Sequence, residues 1–298
     1  MSHNIAFVFP GQGSQTAGML NEMLSNHKSV VSAFCQEASE VLGYDLAQLI
    51  AQDPEQNLNK TEYSQPALLT VGVISWHIWQ QDCAVQPKFL AGHSLGEYTA
   101  LVCAQALSFA EAVKLVAKRG ALMQQAVAPG EGAMAAILGL NLEQVRDICN
   151  NVAAVQPANI NAPGQIVISG RAKAVEQAIE QAKNLGAKRA IMLPISVPSH
   201  CVLMQPAADK FVDFLAAVNW QKPLIPVIHN YDVRAHSTAS SICEALQSQL
   251  YSPVRWVETI EYLVQQGIDE IIESAPGKVL TGLNKRIAPT LNLGSVLC

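Results

Sequence analysis

Gly92-His93-Ser94-Leu95-Gly96 stands between a short apolar run, Lys88 to Ala91, and a helix-forming segment, Glu97 to Val102. That order of strand, sharp turn and helix makes Ser94 the strongest candidate nucleophile in the chain. A serine carried outward on a tight turn needs neighbours without side chains, and the helix that follows aims its first N–H groups at a developing oxyanion. A glycine-rich connection without chemistry is the competing reading, so other residues have to decide.

A serine hydroxyl needs a base at neutral pH, and histidines stand at 3, 27, 77, 93, 200, 229 and 236. His93 adjoins Ser94 on the turn, where its side chain points away and packs the bend. His77, between Trp76 and Ile78, reads as a satisfied core histidine, and His3, His27 and His236 read as solvent-facing. His200 follows Pro198-Ser199 where a helix begins, at a position expected to face a cleft; His229, at the end of a predicted strand, is its rival. No Asp or Glu stands out as a third member. A backbone carbonyl can fix the imidazole tautomer equally well, with Asp232 and Glu273 left open.

Pro10-Gly11-Gln12-Gly13-Ser14-Gln15 follows the first apolar run and looks like half of a dinucleotide fingerprint, but Thr16 stands where the third glycine belongs. An oxyanion hole is a better use: Gly11 lets backbone approach the reacting carbonyl, and the N–H of Gln12 joins that of Leu95. A plain glycine turn is the other reading. Arg119 sits inside a mostly apolar helical segment. Most helical arginines are solvated; facing the cleft instead, its planar fork would hold a substrate carboxylate bidentately.

The elements that must position these groups alternate between strand-like runs (5–9, 88–91, 225–229, 269–273) and helical stretches (28–42, 66–80, 96–104, 109–127, 201–218, 238–249, 255–266). That is the pattern of an α/β protein with a parallel sheet. Between about 128 and 198 the order becomes β-α-β-β-α-β, bounded by Pro129-Gly130 and by Pro194 and Pro198, which predicts a ferredoxin-like small domain inserted into a larger discontinuous one, 1–127 with 199–298. At 298 residues, with 50% hydrophobic and only 14% charged, the chain can bury a large core without staples. An odd set of seven scattered cysteines argues against a disulfide framework or zinc site and for reduced thiols in the cytoplasm. The start carries no basic segment, and its apolar run is too short for a signal peptide or a membrane span. A net charge of −5 makes nucleic acid and anionic membrane poor partners.

Taken together, Pro10 to Gln15, Gly92 to Tyr98, Lys118-Arg119-Gly120, Ser196 to His200 and Glu273 to Leu280 resemble the malonyl-CoA:acyl carrier protein transacylases of bacterial fatty-acid synthesis, over Phe7 to about Leu283. The resemblance implies an α/β-hydrolase-like body with a ferredoxin-like insertion. It implies Ser94 as nucleophile, His200 as base, Gln12 and Leu95 as the oxyanion hole, and Arg119 as the clamp for the malonyl carboxylate. The backbone carbonyl of Gln249 would hold the histidine, and Met123, Asn159, Val197 and Ser199 would line the acyl pocket. Malonyl-CoA and acyl carrier protein follow as partners, the carrier bringing its own phosphopantetheine, with no resident cofactor or metal and a monomer expected. Family carriers are acidic, so docking must use local cations, with Lys188-Arg189 and Lys285-Arg286 as candidates. Two departures are visible: no second Asn precedes Asn230, and Ala275 replaces an expected glycine. Both are expected to lie away from the reacting atoms. A polyketide-synthase acyltransferase and a serine thioesterase or hydrolase are the alternative functions on the same scaffold.

Overall fold

A computed structural model of the chain describes residues 4–53, 55–83, 85–195 and 197–296, so His3, Ser196 and Cys298 lie outside the described residues. The elements run β1 (Ile5–Phe9), α1 (Asn21–Asn26), α2 (Lys28–Leu42), α3 (Leu46–Gln52), α4 (Thr61–Asp82), β2 (Phe89–Gly92), α5 (Gly96–Cys103) and α6 (Phe109–Gln125). Then follow β3 (Gly132–Leu138), α7 (Leu142–Asn151), β4 (Val155–Ala162), β5 (Gln165–Arg171), α8 (Ala172–Asn184) and β6 (Arg189–Met192). The last part holds α9 (Gln205–Ala216), β7 (Val227–Ile228), α10 (Ala239–Gln249), α11 (Trp256–Gln265), β8 (Glu270–Glu273), α12 (Val279–Ile287) and β9 (Asn292–Ser295).

The first sheet is parallel throughout, in the order β7-β2-β1-β8-β9. Its central strand β1, Ile-Ala-Phe-Val-Phe, is buried along its whole length, as a parallel strand covered on both faces must be. Alternation along the strand assigns its side chains to two cores. Phe7 and Phe9 join the large cluster under α2, α4, α5, α6, α9 and α10, while Ala6 and Val8 join the cluster under α11 and α12 with Trp256, Leu263 and Leu280.

The second sheet is antiparallel in the order β4-β5-β3-β6. Its helices α7 and α8 cover one face with a core of their own, Ile137, Val145, Ile148, Ile166, Ile168 and Val175 among others. It is tied to the parallel sheet's body by two backbone hydrogen bonds, Ile160 N–H to the Val254 carbonyl (2.9 Å) and Val254 N–H to the Ala158 carbonyl (2.8 Å).

Several local expectations change. The strand expected over 225–229 is cut to two residues, because Pro226 has no N–H to give and pairing reaches only Leu90 and Ala91. The helix expected from 66 begins at Thr61, with Pro66 tolerated inside its second turn. Edge strand β9 went unforeseen, since Asn-Leu-Gly-Ser has neither alternation nor β-branching and pairs only with β8. His77 is exposed, not core: it lies on the solvent side of α4, edge-on to Phe34 at 5.5 Å, with Gln81 Nε2 3.3 Å from its Nε2. His236 is half-buried and donates to Asp232 at 2.9 Å.

Candidate active site

The bend after β2 brings Ser94 to φ 52°, the left-handed region that a side chain enters only when its surroundings hold it there. Packing supplies the hold. A Cβ on Gly96 would lie 2.1 Å from the Phe9 carbonyl oxygen, so α5 can start this close to β1 only from a glycine. On Gly11 a Cβ would lie 2.4 Å from the His93 carbonyl oxygen. The loop after β1 thus rests on the elbow itself, an approach that the bare backbone of Gly11 permits.

Ser94 Oγ lies 2.7 Å from His200 Nε2. His200 is buried and held by the end of α10: its Nδ1–H donates to the Gln249 carbonyl at 2.8 Å and its backbone N–H to the Leu250 carbonyl at 3.0 Å. The last carbonyls of a helix have no partner within it, and here that of Gln249 takes the place of a triad carboxylate. With Nδ1 carrying the proton, Nε2 is left to accept from the serine hydroxyl. Burial, then the nearby Arg119 charge, push the imidazole down to about 3, so it stands neutral and able to accept a proton across the physiological range.

Arg119 on α6 has no solvent exposure. Its Nη1 donates to Gln65 Oε1 at 3.0 Å, its Nη2 to Gln249 Oε1 at 2.8 Å, and Nη2 stands 3.4 Å from Ser94 Oγ. The guanidinium lies 5.3 Å from the Tyr98 ring centroid, and Nε has no partner among the described residues. Its side-chain acceptors in hydrogen-bond range are two amides and a hydroxyl, all neutral, so burial lowers its proton affinity and leaves a cation with a site open to an anion.

Rival and neighbouring candidates fall elsewhere. His229 is buried behind the elbow, donating from Nδ1 to Glu97 Oε1 at 2.7 Å, and makes no bond to Ser94. His93 turns away, as expected, and its Nε2–H meets Asn161 Oδ1 at 2.9 Å. Asp232 is taken up by His236, and Glu273 by the N–H groups of Leu280 and Thr281, so neither reaches His200. The Gln12 side chain donates to Ser64 Oγ at 2.9 Å, and neither its backbone N–H nor that of Leu95 donates to a protein acceptor among the described residues. Met123 is buried, with Gln65 Nε2 3.5 Å from its sulfur, and shares the large apolar cluster with Leu95 and Val197. Ser199 is half-buried and bonds back to the Val197 carbonyl through its N–H at 2.9 Å. Asn159, on β4, bridges to Val254, and its buried Oδ1 is unpartnered among the described residues.

The segment that lacks the second Asn is not remote, because the Asn it keeps reaches the elbow. Asn230 Oδ1 accepts the Ser94 N–H at 2.7 Å, and its Nδ2 donates to the Gly92 carbonyl at 2.7 Å, so Asn230 grips both sides of the nucleophile's peptide. Gln65 was also unforeseen as a site residue. Its signal was an amide at the head of the apolar run Pro66 to Ile74, a residue type that enters a core only with partners.

The comparisons with known proteins agree with this geometry. The acyl transferase domain family matches residues 6–288. The malonyl CoA-acyl carrier protein transacylase of Salmonella typhimurium is 51% identical over 294 residues, 98% of this chain and 95% of that protein. The structure of the corresponding enzyme from Coxiella burnetii aligns with a TM-score of 0.98 at 50% identity, covering 99% of this chain and 94% of that one. A malonyl-transacylase solved with a type II polyketide-synthase acyl-carrier protein aligns at 0.97 and 50% identity, covering 99% and 96%. With a serine, an imidazole and a guanidinium meeting at one elbow and this likeness running nearly end to end, the chain belongs to the malonyl CoA-acyl carrier protein transacylase family of acyltransferases.

Proposed function

We propose that this chain moves a malonyl group from malonyl-CoA to the phosphopantetheine thiol of an acyl carrier protein through a malonyl ester on Ser94, supplying fatty-acid elongation. The observation that carries the reading is a 2.7 Å Ser94–His200 contact with a buried, anion-seeking guanidinium 3.4 Å from the same hydroxyl. An enzyme that only cleaved acyl chains would have no use for that cation.

In the first half-reaction His200 takes the Ser94 proton as Oγ attacks the thioester carbonyl, and the imidazolium is favoured by the Gln249 carbonyl on Nδ1. The tetrahedral oxyanion rests on the N–H groups of Leu95 and Gln12. Its collapse breaks the C–S bond, and the thiolate of CoA leaves with the proton from His200. The second half runs in reverse, with the carrier's thiol as attacker. One thioester is exchanged for another, so the overall transfer is nearly balanced in energy and the site must mainly position thiols and exclude water. The chain's own side chains and backbone groups and the two thiols carry every step, and the proposed cycle asks for no resident cofactor.

Arg119 holds the malonyl carboxylate, with Met123, Asn159, Val197 and Ser199 as acyl-pocket walls. Residues 128–198 are taken as the ferredoxin-like small domain on the strength of its separate core. We place the enzyme in the cytoplasm as a monomer. Six described cysteines are unpaired, no helix among the described residues is long and apolar enough to cross a membrane, and every proposed catalytic group comes from one chain.

Intact mass after mixing with malonyl-CoA tests the reading: the parent gains one malonyl group, loses it to holo carrier protein, and Ser94→Ala gains none. Labelling of the alanine variant would overturn it. A second reading, service to a polyketide synthase, is favoured by the likeness to a transacylase solved with such a carrier; transfer rates to the two classes of carrier separate them.

A further inference from the structure

Glu97 lies in the first turn of α5, three residues after Ser94, without solvent exposure. A carboxylate there survives only if donors replace water. Three do, from two other parts of the chain. His229 Nδ1 donates to Oε1 at 2.7 Å, while the Asn230 N–H and Gln249 Nε2 donate to Oε2 at 2.8 and 2.9 Å.

Two of these partners are the residues that hold the nucleophile. Asn230 accepts the Ser94 N–H, and Gln249 Nε2 also donates to the Ser94 carbonyl at 3.0 Å. Gln249 does more: its carbonyl orients His200 and its Oε1 accepts from Arg119. An amide has the same shape either way round. Turned over, Gln249 would present its NH2 to the guanidinium and its oxygen to the carboxylate and to the Ser94 carbonyl, unfavourable on every side. Glu97 and Arg119 between them therefore admit one orientation of that amide.

We propose that Glu97 is a positioning residue for the transfer, its Oε2 locking Gln249 and Asn230 so that the Ser94 hydroxyl, the His200 imidazole and the Arg119 guanidinium keep a single register. The proposal rests on the malonyl-transfer reading above. It predicts that an acceptor at Oε2 is what matters. Glu97→Gln supplies one, and its NH2 can face His229, whose Nε2 has no partner among the described residues and is free to take the ring proton instead. Glu97→Met fills similar space and accepts nothing.

The experiment measures kcat and KM for malonyl-CoA and acetyl-CoA with holo carrier protein, alongside melting temperature, for the parent and both variants. Glu97→Gln is expected within about fivefold of the parent in kcat, with its malonyl preference kept. Glu97→Met is expected to lose about a hundredfold in kcat, with little change in KM for acetyl-CoA and a malonyl preference reduced about tenfold. A Met variant within about fivefold of the parent, or a Gln variant as slow as Met, overturns the proposal. If the Met variant does not melt cooperatively, Glu97→Asp replaces it, keeping the charge but withdrawing the carboxylate by one methylene: a loss of about tenfold supports the proposal and parental activity overturns it. A parent that moves no malonyl overturns the function reading itself, and needs no variant to show it.

Discussion

At the scale of single residues the site is governed by what is buried. His200, pushed down to about 3 from an ordinary 6.5, gives a signed pH prediction. With His200 as the proposed base, activity in kcat/KM is expected to stay level from about pH 8 to about pH 5, and an acid limb centred near 6.5 would contradict the depressed value. Stability moves too. Below 6.5 the unfolded chain binds a proton that the folded chain refuses until about 3, so stability is lost as pH falls through that window, by up to about 1.4 kcal/mol per pH unit. His200→Ala should flatten that slope between pH 6 and 4 in denaturant melts, relative to the parent. Arg119 gives a second prediction. Removing one partner of a desolvated charge pair costs about 3–5 kcal/mol, so Arg119→Ala lowers malonyl transfer at least about a hundredfold while acetyl transfer falls less. Competition between the two CoA esters reads the ratio, and an unchanged ratio means that Arg119 is not the clamp. Ser94 and His200 could be singled out in the sequence because a glycine-flanked serine and a histidine at a chain boundary are visible without coordinates. Asn230 and Gln65 could not: their importance lies in which atom of an amide faces which partner, a property of the fold and not of spacing.

At the scale of elements the proposed Arg119 clamp depends on how closely α6 approaches α4. Gly120, next to Arg119, makes that approach possible: a Cβ there would lie 2.5 Å from the Thr61 carbonyl oxygen and 2.7 Å from the Glu62 Cα, both backbone. Backbone cannot swing aside as a flexible side chain can. Gly120→Ala must therefore part the helices, at about 1–3 kcal/mol, and lift the guanidinium away from Gln65 on α4. The expected result is a melting point lowered by a few degrees together with a reduced malonyl-over-acetyl ratio. A variant that melts lower but keeps the ratio would separate helix packing from clamp placement. The sequence displayed the elements that bury most. Runs such as Ile5 to Phe9 and Phe89 to Ala91, and the β-α-β-β-α-β rhythm between 132 and 192, follow from hydrophobic patterning that a packed sheet demands. It hid those whose stability comes from one neighbour. β9 exists only through β8, and α1 is six residues long with one buried side chain, Met23.

At the scale of the whole molecule the question is how a chain of net charge −5 would receive a carrier that the family resemblance implies to be acidic. Overall charge repels such a partner, so local cations within about a Debye length of the contact have to outweigh it, and only those free of internal partners can do so. The two candidate pairs differ in this respect. Arg286 on α12 is spent inside the molecule, donating to Gln165 on β5 and to the Pro163 carbonyl, and so ties α12 to the second sheet. Lys188 and Arg189, at the start of β6, are exposed and make no ion pair or side-chain hydrogen bond among the described residues. The two pairs should then fail differently. Reversing Lys188 and Arg189 to glutamate should raise KM for carrier protein about tenfold at low salt, leave the rate of malonyl-serine formation from malonyl-CoA unchanged, and lose most of its effect by about 0.5 M salt, where screening removes the parent's advantage. Arg286→Ala should instead lower the melting temperature and show little salt dependence in transfer. Steady-state transfer at several ionic strengths, with single-turnover loading as control, reads both. If the reversed pair transfers as the parent does at low salt, the carrier docks on another face, and Lys285, exposed on α12, is the next cation to reverse.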